Sequence, residues 1–240
     1  MTYVEGFLVP VPAGREEEYR RHAAEAWGMF REFGILRQVE AWGDDVPEGK
    51  VTDFRKAVKA EDGETVVFAW FEHSDRAARD AANARIMSDP RMEAFAAAMP
   101  FDGKRMVMGG FESIVEEGTA GGGYVDGILL AVPTQNRQAY LDMAREFAGI
   151  FREYGAVHVV ENWGDDVPDG TLTDFRKAVK AEEGEQVVFS WIEWPSKAER
   201  DETWGKIMAD ERMSPQRNAS FDGKRMFWGG FRPILDERAA

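Results

Sequence analysis

Apolar residues along this chain switch between a strand-like and a helix-like period. Tyr3-Val-Glu-Gly-Phe-Leu-Val is a short β-rich run closed by Pro10 and Pro12, which predicts a strand. Over residues 15–33, Tyr19, Ala23, Ala26, Trp27, Phe30 and Phe33 recur at spacings of three and four, with Gly34 past the last turn. That is the pattern of an amphipathic helix with a glycine stop. Leu36 to Trp42 and Val66 to Glu72 read as two further strands, and Asp53-Phe-Arg-Lys-Ala-Val-Lys between them has room for about two helical turns. Ser74 is positioned to cap a second long helix over 75–88. A looser helical region, Arg91 to Met99, and a last strand, Lys104 to Ile114, follow.

The same order then returns: Tyr124 to Leu130, a helix ending before Gly155, Val157 to Trp163, Val187 to Glu193, a helix from about Ser196, and Lys224 to Ile234. Its strongest echo is Trp42-Gly-Asp-Asp-Val-Pro and Thr52-Asp-Phe-Arg-Lys-Ala-Val-Lys, which recur as Trp163-Gly-Asp-Asp-Val-Pro and Thr173-Asp-Phe-Arg-Lys-Ala-Val-Lys. The chain is a tandem duplication, divided into residues 1–116 and 124–240 by a glycine-rich stretch at 117–123 that is too polar to pack and predicts a flexible linker. A β-α-β-β-α-β order, met twice, predicts an α+β fold of two ferredoxin-like units, each a four-stranded antiparallel sheet with its helices on one face. The bare face of each sheet needs a partner. The expectation is that the halves pack sheet to sheet within the chain, as a pseudo-dimer around an enclosed space.

Those motifs, with Phe-Asp-Gly-Lys-Arg-Met at 101–106 and 221–226, resemble the uncharacterised DUF1428 family over essentially all of both halves. The resemblance implies the dimeric α/β-barrel fold, normally built from two chains and here from one. It implies no reaction.

Strand alternation places Tyr3, Glu5, Phe7, Glu40, Trp42, Phe68, Trp70, Glu72 and Phe111 on the face expected to line the barrel, with their counterparts in the second half. Carboxylates are rarely buried without partners, and a dry one has a raised pKa, so Glu40 and Glu161 are the candidate bases. The competing reading has them bonding tyrosine hydroxyls, indoles, arginines or water. Tyr3, Trp42, Trp70, Tyr124, Trp163 and Trp191 are the candidate aromatic ligand contacts. The topology also brings Arg55, Lys59 and Arg105 to one end of the first half, and Arg176, Lys180 and Arg225 to the same end of the second. Such a cluster suits a carboxylate or phosphate. Asp44, Asp45 and Asp53 in the same stretch suit structural ion pairs equally well.

A formal charge of −14 creates a field that repels phosphate backbones, so no nucleic-acid partner is expected. There is no run long and apolar enough for a membrane span and no secretory pattern at the start, which predicts a cytoplasmic protein with no membrane partner. Zero cysteines remove thiolate chemistry. The three histidines do not recur between halves and form no metal spacing, and no nucleotide fingerprint is present, so no metal or cofactor is expected. Three readings remain. The first is a protein binding a small organic, possibly acidic, molecule in the barrel; the second is a cofactor-independent monooxygenase- or isomerase-like enzyme with Glu40 or Glu161 as base; the third is a structural module whose repeated stretch locks the halves together.

Overall fold

A computed structural model describes residues 2–213 and 220–239. The outermost limits of the two expected halves, Met1 and Ala240, lie outside the described residues. In the first half β1 (Tyr3–Pro12), α1 (Glu16–Phe30), β2 (Arg37–Asp45), α2 (Phe54–Ala57), β3 (Glu64–His73), α3 (Arg76–Ser88), α4 (Arg91–Ala97) and β4 (Val107–Gly118) follow in order. In the second come β5 (Tyr124–Pro133), α5 (Arg137–Glu153), β6 (His158–Asp166), α6 (Phe175–Ala178), β7 (Glu185–Trp194), α7 (Lys197–Ala209) and β8 (Phe227–Arg238). Two local expectations change. Asp75, not Ser74, caps α3 by accepting from the Ala78 N–H at 2.8 Å, and the repeated stretch yields a single helical turn, capped by Asp53.

The eight strands among the described residues form one closed barrel in the order β1-β3-β2-β8-β5-β7-β6-β4. Each half contributes four neighbouring strands, and the seams are antiparallel pairings of β2 with β8 and β4 with β6. Closure leaves no strand edge to water. The halves thus join by continuous hydrogen bonding as well as by contact across the lumen.

The lumen is filled. Phe68 and Phe189 stack across it at 4.5 Å, and Trp70 and Trp191 at 4.4 Å. Phe54 and Phe175 plug it from the repeated stretches, edge-on to Phe231 and Phe111. Such tight crossing needs glycine: a Cβ on Gly6 would lie 3.0 Å from the Phe189 ring, and one on Gly127 2.9 Å from Phe68.

The expected linker also packs. Glu117 and Gly118 extend β4 against β6, and the N–H groups of Gly121 and Gly122 donate to the buried Glu193 carboxylate at 2.7 and 2.8 Å. A glycine-rich turn lets two consecutive amides approach one carboxylate, a use that composition alone does not distinguish from looseness.

Candidate functional site

Residues paired directly across a sheet share a face. Trp70 pairs with Gly6 and Val39, and Phe68 with Leu8 and Ala41, so these face the lumen. Tyr3, Glu5 and Phe7 pair with His73, Phe71 and Ala69, and Glu40 with Ala69, on the other side. The expected inner face is therefore correct for Phe68, Trp70, Phe111 and Trp191 and inverted for Tyr3, Glu5, Phe7, Glu40 and Trp42, and likewise for Tyr124, Glu161 and Trp163. The physical reason is that both faces are covered, one by the opposite side of the barrel and one by helices. Neither face is polar enough to set the phase of the alternation.

The tyrosines and the repeated aspartates form a reciprocal lock between halves. Tyr3 donates to Asp165 at 3.0 Å and Tyr124 to Asp44 at 2.9 Å. Lys197 meets Asp44 at 3.0 Å, Arg200 meets Asp45 at 3.1 Å, Arg76 meets Asp165 at 2.8 Å and Arg79 meets Asp166 at 2.6 Å. Thr52 donates to the Ala178 carbonyl at 2.6 Å and Thr173 to that of Ala57. The stretch that the two halves share most closely is thus where each grips the other.

The cationic ends are occupied by their own loops. Arg55 donates to the carbonyls of Glu64 and Glu61, and Arg176 to those of Glu185 and Glu182. Arg105 forks onto Glu64 at 2.7 and 2.8 Å and also donates to the Lys59 carbonyl; Arg225 repeats this with Glu185 and the Lys180 carbonyl. Lys59 and Lys180 hold left-handed backbone, with φ of 50° and 52°. A guanidinium already spent on carbonyls and a carboxylate has little left for an anionic ligand.

A hollow of about 580 Å³ is bordered by Arg55, Lys56 and Lys59 with Glu48 and Asp53, whereas the apolar open space lies between the helices and the outer face of the barrel. In the first half a cavity of about 300 Å³ is lined by β1, β2, β3 and β4 beneath α1, α3 and α4. Phe7, Phe30, Phe71, Phe95 and Phe101 are on its walls, and Met87 and Met108, 85% and 38% exposed, stand at its rim. The second half has the equivalent space, about 590 Å³, with Phe147, Phe151, Trp204, Met208, Phe221 and Met226 on its walls. Ala23 and Ala26 on α1 are short side chains within its aromatic stripe, and both border the first cavity.

Each cavity holds one of the candidate bases. Glu40, 5% exposed, accepts from the Tyr19 hydroxyl at 2.7 Å and the Gln38 amide at 2.9 Å. Burial pushes its pKa up from 4.5 to about 7, although both hydrogen bonds act to lower it. Glu161 accepts from Tyr140 at 2.6 Å and from Ser190, and burial raises its pKa as well. The competing reading of these acids is thus right about tyrosine. Trp42 and Trp163 lie behind the tyrosines, with ring centroids 6.1 and 6.3 Å away. Among the described residues no three His, Asp or Glu side chains converge as metal ligands.

Comparison with known proteins follows this two-fold plan. The model of a family described as a protein of unknown function, DUF1428, matches residues 2–103 and again 123–223. The chain belongs to the DUF1428 family. The uncharacterized protein YbaA of Escherichia coli K12 is 61% identical over 117 residues, 49% of this chain and all of YbaA, and the Shigella flexneri protein of that name matches equally. Among solved structures, a Fusobacterium nucleatum protein described as a “putative monooxygenase” superposes with a TM-score of 0.60 at 10% identity, covering 100% of this chain and 95% of that one. An “anthrone oxidase-like protein” gives 0.54 at 12%, covering 100% and 94%. At such identities the likeness is one of fold, a closed antiparallel α/β barrel.

Within this DUF1428 chain the two cavities are not copies. Gln38 and His22 at the first have Val159 and Met143 as counterparts, Ala69 has Ser190, and Asn83 has Trp204. Sequence reasoning passed over Gln38, Ser190 and the methionines because each looks like filler by itself. The signal was in α1, where alanines interrupt an aromatic stripe that faces a carboxylate.

Proposed function

We propose that this protein binds small, mainly apolar molecules in the cavities between the helices and the outer barrel wall, one per repeat, with Glu40 and Glu161 as the polar contacts. The observation that carries this reading is the recurrence, in both repeats, of an apolar space with a tyrosine-bonded carboxyl at its floor. Lining phenylalanines supply burial at about 25 cal/mol per Å² of apolar surface, and methionines at the rim adapt to ligand shape. A carboxyl floor disfavours the acidic ligand expected from the cationic ends. Each half has its strands in the order β4-β1-β3-β2 or its equivalent, which supports reading it as a ferredoxin-like unit with the cavity between its layers.

The raised pKa of Glu40 favours a second reading, in which it removes a proton from a bound substrate near neutral pH. The fold neighbours described as a “putative monooxygenase” and as “anthrone oxidase-like” are compatible with that chemistry.

Titration with pyrene, an uncharged fluorescent probe, tests the binding reading. Saturable binding at two sites per chain is expected, reduced to one by Ala26→Phe, whose ring takes up much of the first cavity of about 300 Å³, whereas the second, about 590 Å³, already accommodates Phe147 at the equivalent position and keeps its site. Absence of saturable binding, or unchanged stoichiometry in a folded Ala26→Phe variant, overturns it.

A further inference from the structure

Buried acids in this protein come with cations. Glu5 faces Arg79 at 3.5 Å, Asp53 faces Lys56 at 2.6 Å and Asp126 faces Arg200 at 2.7 Å. Asp174 faces Lys177 at 2.6 Å, Glu185 faces Arg225 at 2.6 Å and Glu193 faces Arg37 at 3.1 Å. Glu40 and the partly buried Glu161 are different: among the described residues neither has a cation within ion-pair distance. They are also the two acids at equivalent positions in the two cavities.

Their neighbours nevertheless suit the ionised form. Tyr19 and Gln38 both donate to Glu40, and Tyr140 and Ser190 both donate to Glu161. The Gln38 amide is fixed in that sense, because the same nitrogen also donates to the Ala23 carbonyl at 3.2 Å. A carboxylate given two donors and no countercharge, at the floor of an apolar cavity, has the counterion missing from an otherwise complete site.

We propose that the ligand supplies that counterion: each cavity takes an organic amine whose ammonium pairs with Glu40 or Glu161 while its apolar body lies among the aromatic and methionine side chains. The proposal rests on the binding reading above and names its ligand class. Phenylalanine faces such as Phe7 and Phe71 add favourable contact for a cation, and the net charge of −14 draws cations towards the protein.

Binding is then linked to protons. Where the Glu40 carboxyl is protonated, an incoming ammonium takes its place opposite the carboxylate and one proton leaves to solvent. Affinity therefore rises with pH up to about 7, the pKa of Glu40 in the free protein, and levels off above it. The other titratable groups around the first cavity do not mimic this. Burial lowers His22 from 6.5 and raises Tyr19 well above 10, so both stay neutral near pH 8. Glu5, raised from 4.5 by burial, already has Arg79 and Asn83.

The test is displacement of pyrene from the full chain by 4-phenylbutylamine and by its uncharged analogue 4-phenylbutan-1-ol, at about pH 6 and about pH 8.5. At the higher pH the amine should bind about tenfold or more tighter than the alcohol, as expected for a charge-assisted hydrogen bond out of water. The advantage should shrink at the lower pH. It should vanish in Glu40→Gln/Glu161→Gln, which must still bind pyrene and the alcohol, and that retained binding reports an intact fold. Equal displacement by amine and alcohol at the higher pH, or an advantage that survives in the double variant, overturns the amine proposal and leaves the cavity reading standing. Failure of pyrene to bind the wild type overturns both.

Discussion

Replacing Glu40 by Gln should make the protein more stable at alkaline pH and no more stable in acid. A pKa raised from 4.5 to about 7 means that the folded protein holds the proton more tightly than the unfolded chain. The resulting stabilisation is complete below about pH 4.5 and is lost as pH rises through 7; by linkage it amounts to about 3 kcal/mol. Gln at this position carries no charge at any pH. It keeps a carbonyl to accept from Tyr19, but it meets Gln38 as one amide beside another, which costs about 1 kcal/mol. The net expectation is a gain of roughly 2 kcal/mol at pH 8.5 and a loss of roughly 1 kcal/mol at pH 4.5. In a chain of this size a kcal/mol moves the melting temperature by about 2–4 °C, so the Tm difference between variant and wild type should reverse sign between those pH values. Thermal melts of both proteins across the range read this directly. A Tm difference that stays constant with pH would refute the assignment of Glu40 as a buried carboxyl titrating near neutrality.

Three other outcomes follow from the packing. His158 lies between Glu193 and Glu116; burial alone would lower its pKa, but those carboxylates raise it from 6.5 to about 9, so its stabilising contribution is complete below about pH 6.5 and is lost as pH rises through 9. His158→Gln should therefore cost about 1–3 kcal/mol at pH 7 and much less at pH 10, measured by urea denaturation at the two values. Arg55→Met removes donors from the Glu64 and Glu61 carbonyls and should lower Tm by several degrees with no change in pyrene binding, whereas an unchanged Tm would contradict this structural role. Residues 1–116 expressed alone expose the edges of β2 and β4 and one half of the aromatic lumen, so sedimentation should find a dimer; a stable monomer at micromolar concentration would contradict the seam pairings.

The duplication, the strand and helix order and the pairing of the halves were legible because they rest on long-range periodicity, as in the Tyr19-to-Phe30 stripe and the echo of residues 42–61. The site was half legible. Glu40 and Glu161 stood out as acids in apolar strands, but the face they occupy did not. Tyr3-Val-Glu-Gly-Phe-Leu-Val has apolar residues in both phases, because Val4 and Leu8 fill the lumen while Phe7 packs towards the helices. Only the register against Phe68 and Trp70 separates the two, and register belongs to the folded sheet. The Trp-Gly-Asp-Asp motif misled in another way: its aspartates find Arg200 and Arg79, which lie more than a hundred and nearly ninety positions away in the chain, and not the arginine of their own loop. The lock between halves and a ligand site would leave the same mark on two copies of a sequence.

The location of bound ligand is the most direct test of the account. Crystals of the full chain soaked with 1-bromonaphthalene, an apolar probe that carries its own anomalous scatterer, should show bromine peaks under α1 and α5, close to Glu40 and Glu161, with the lumen around Trp70 and Trp191 unoccupied. Bromine in the lumen, or only on the surface beside Arg55 and Arg176, would contradict it.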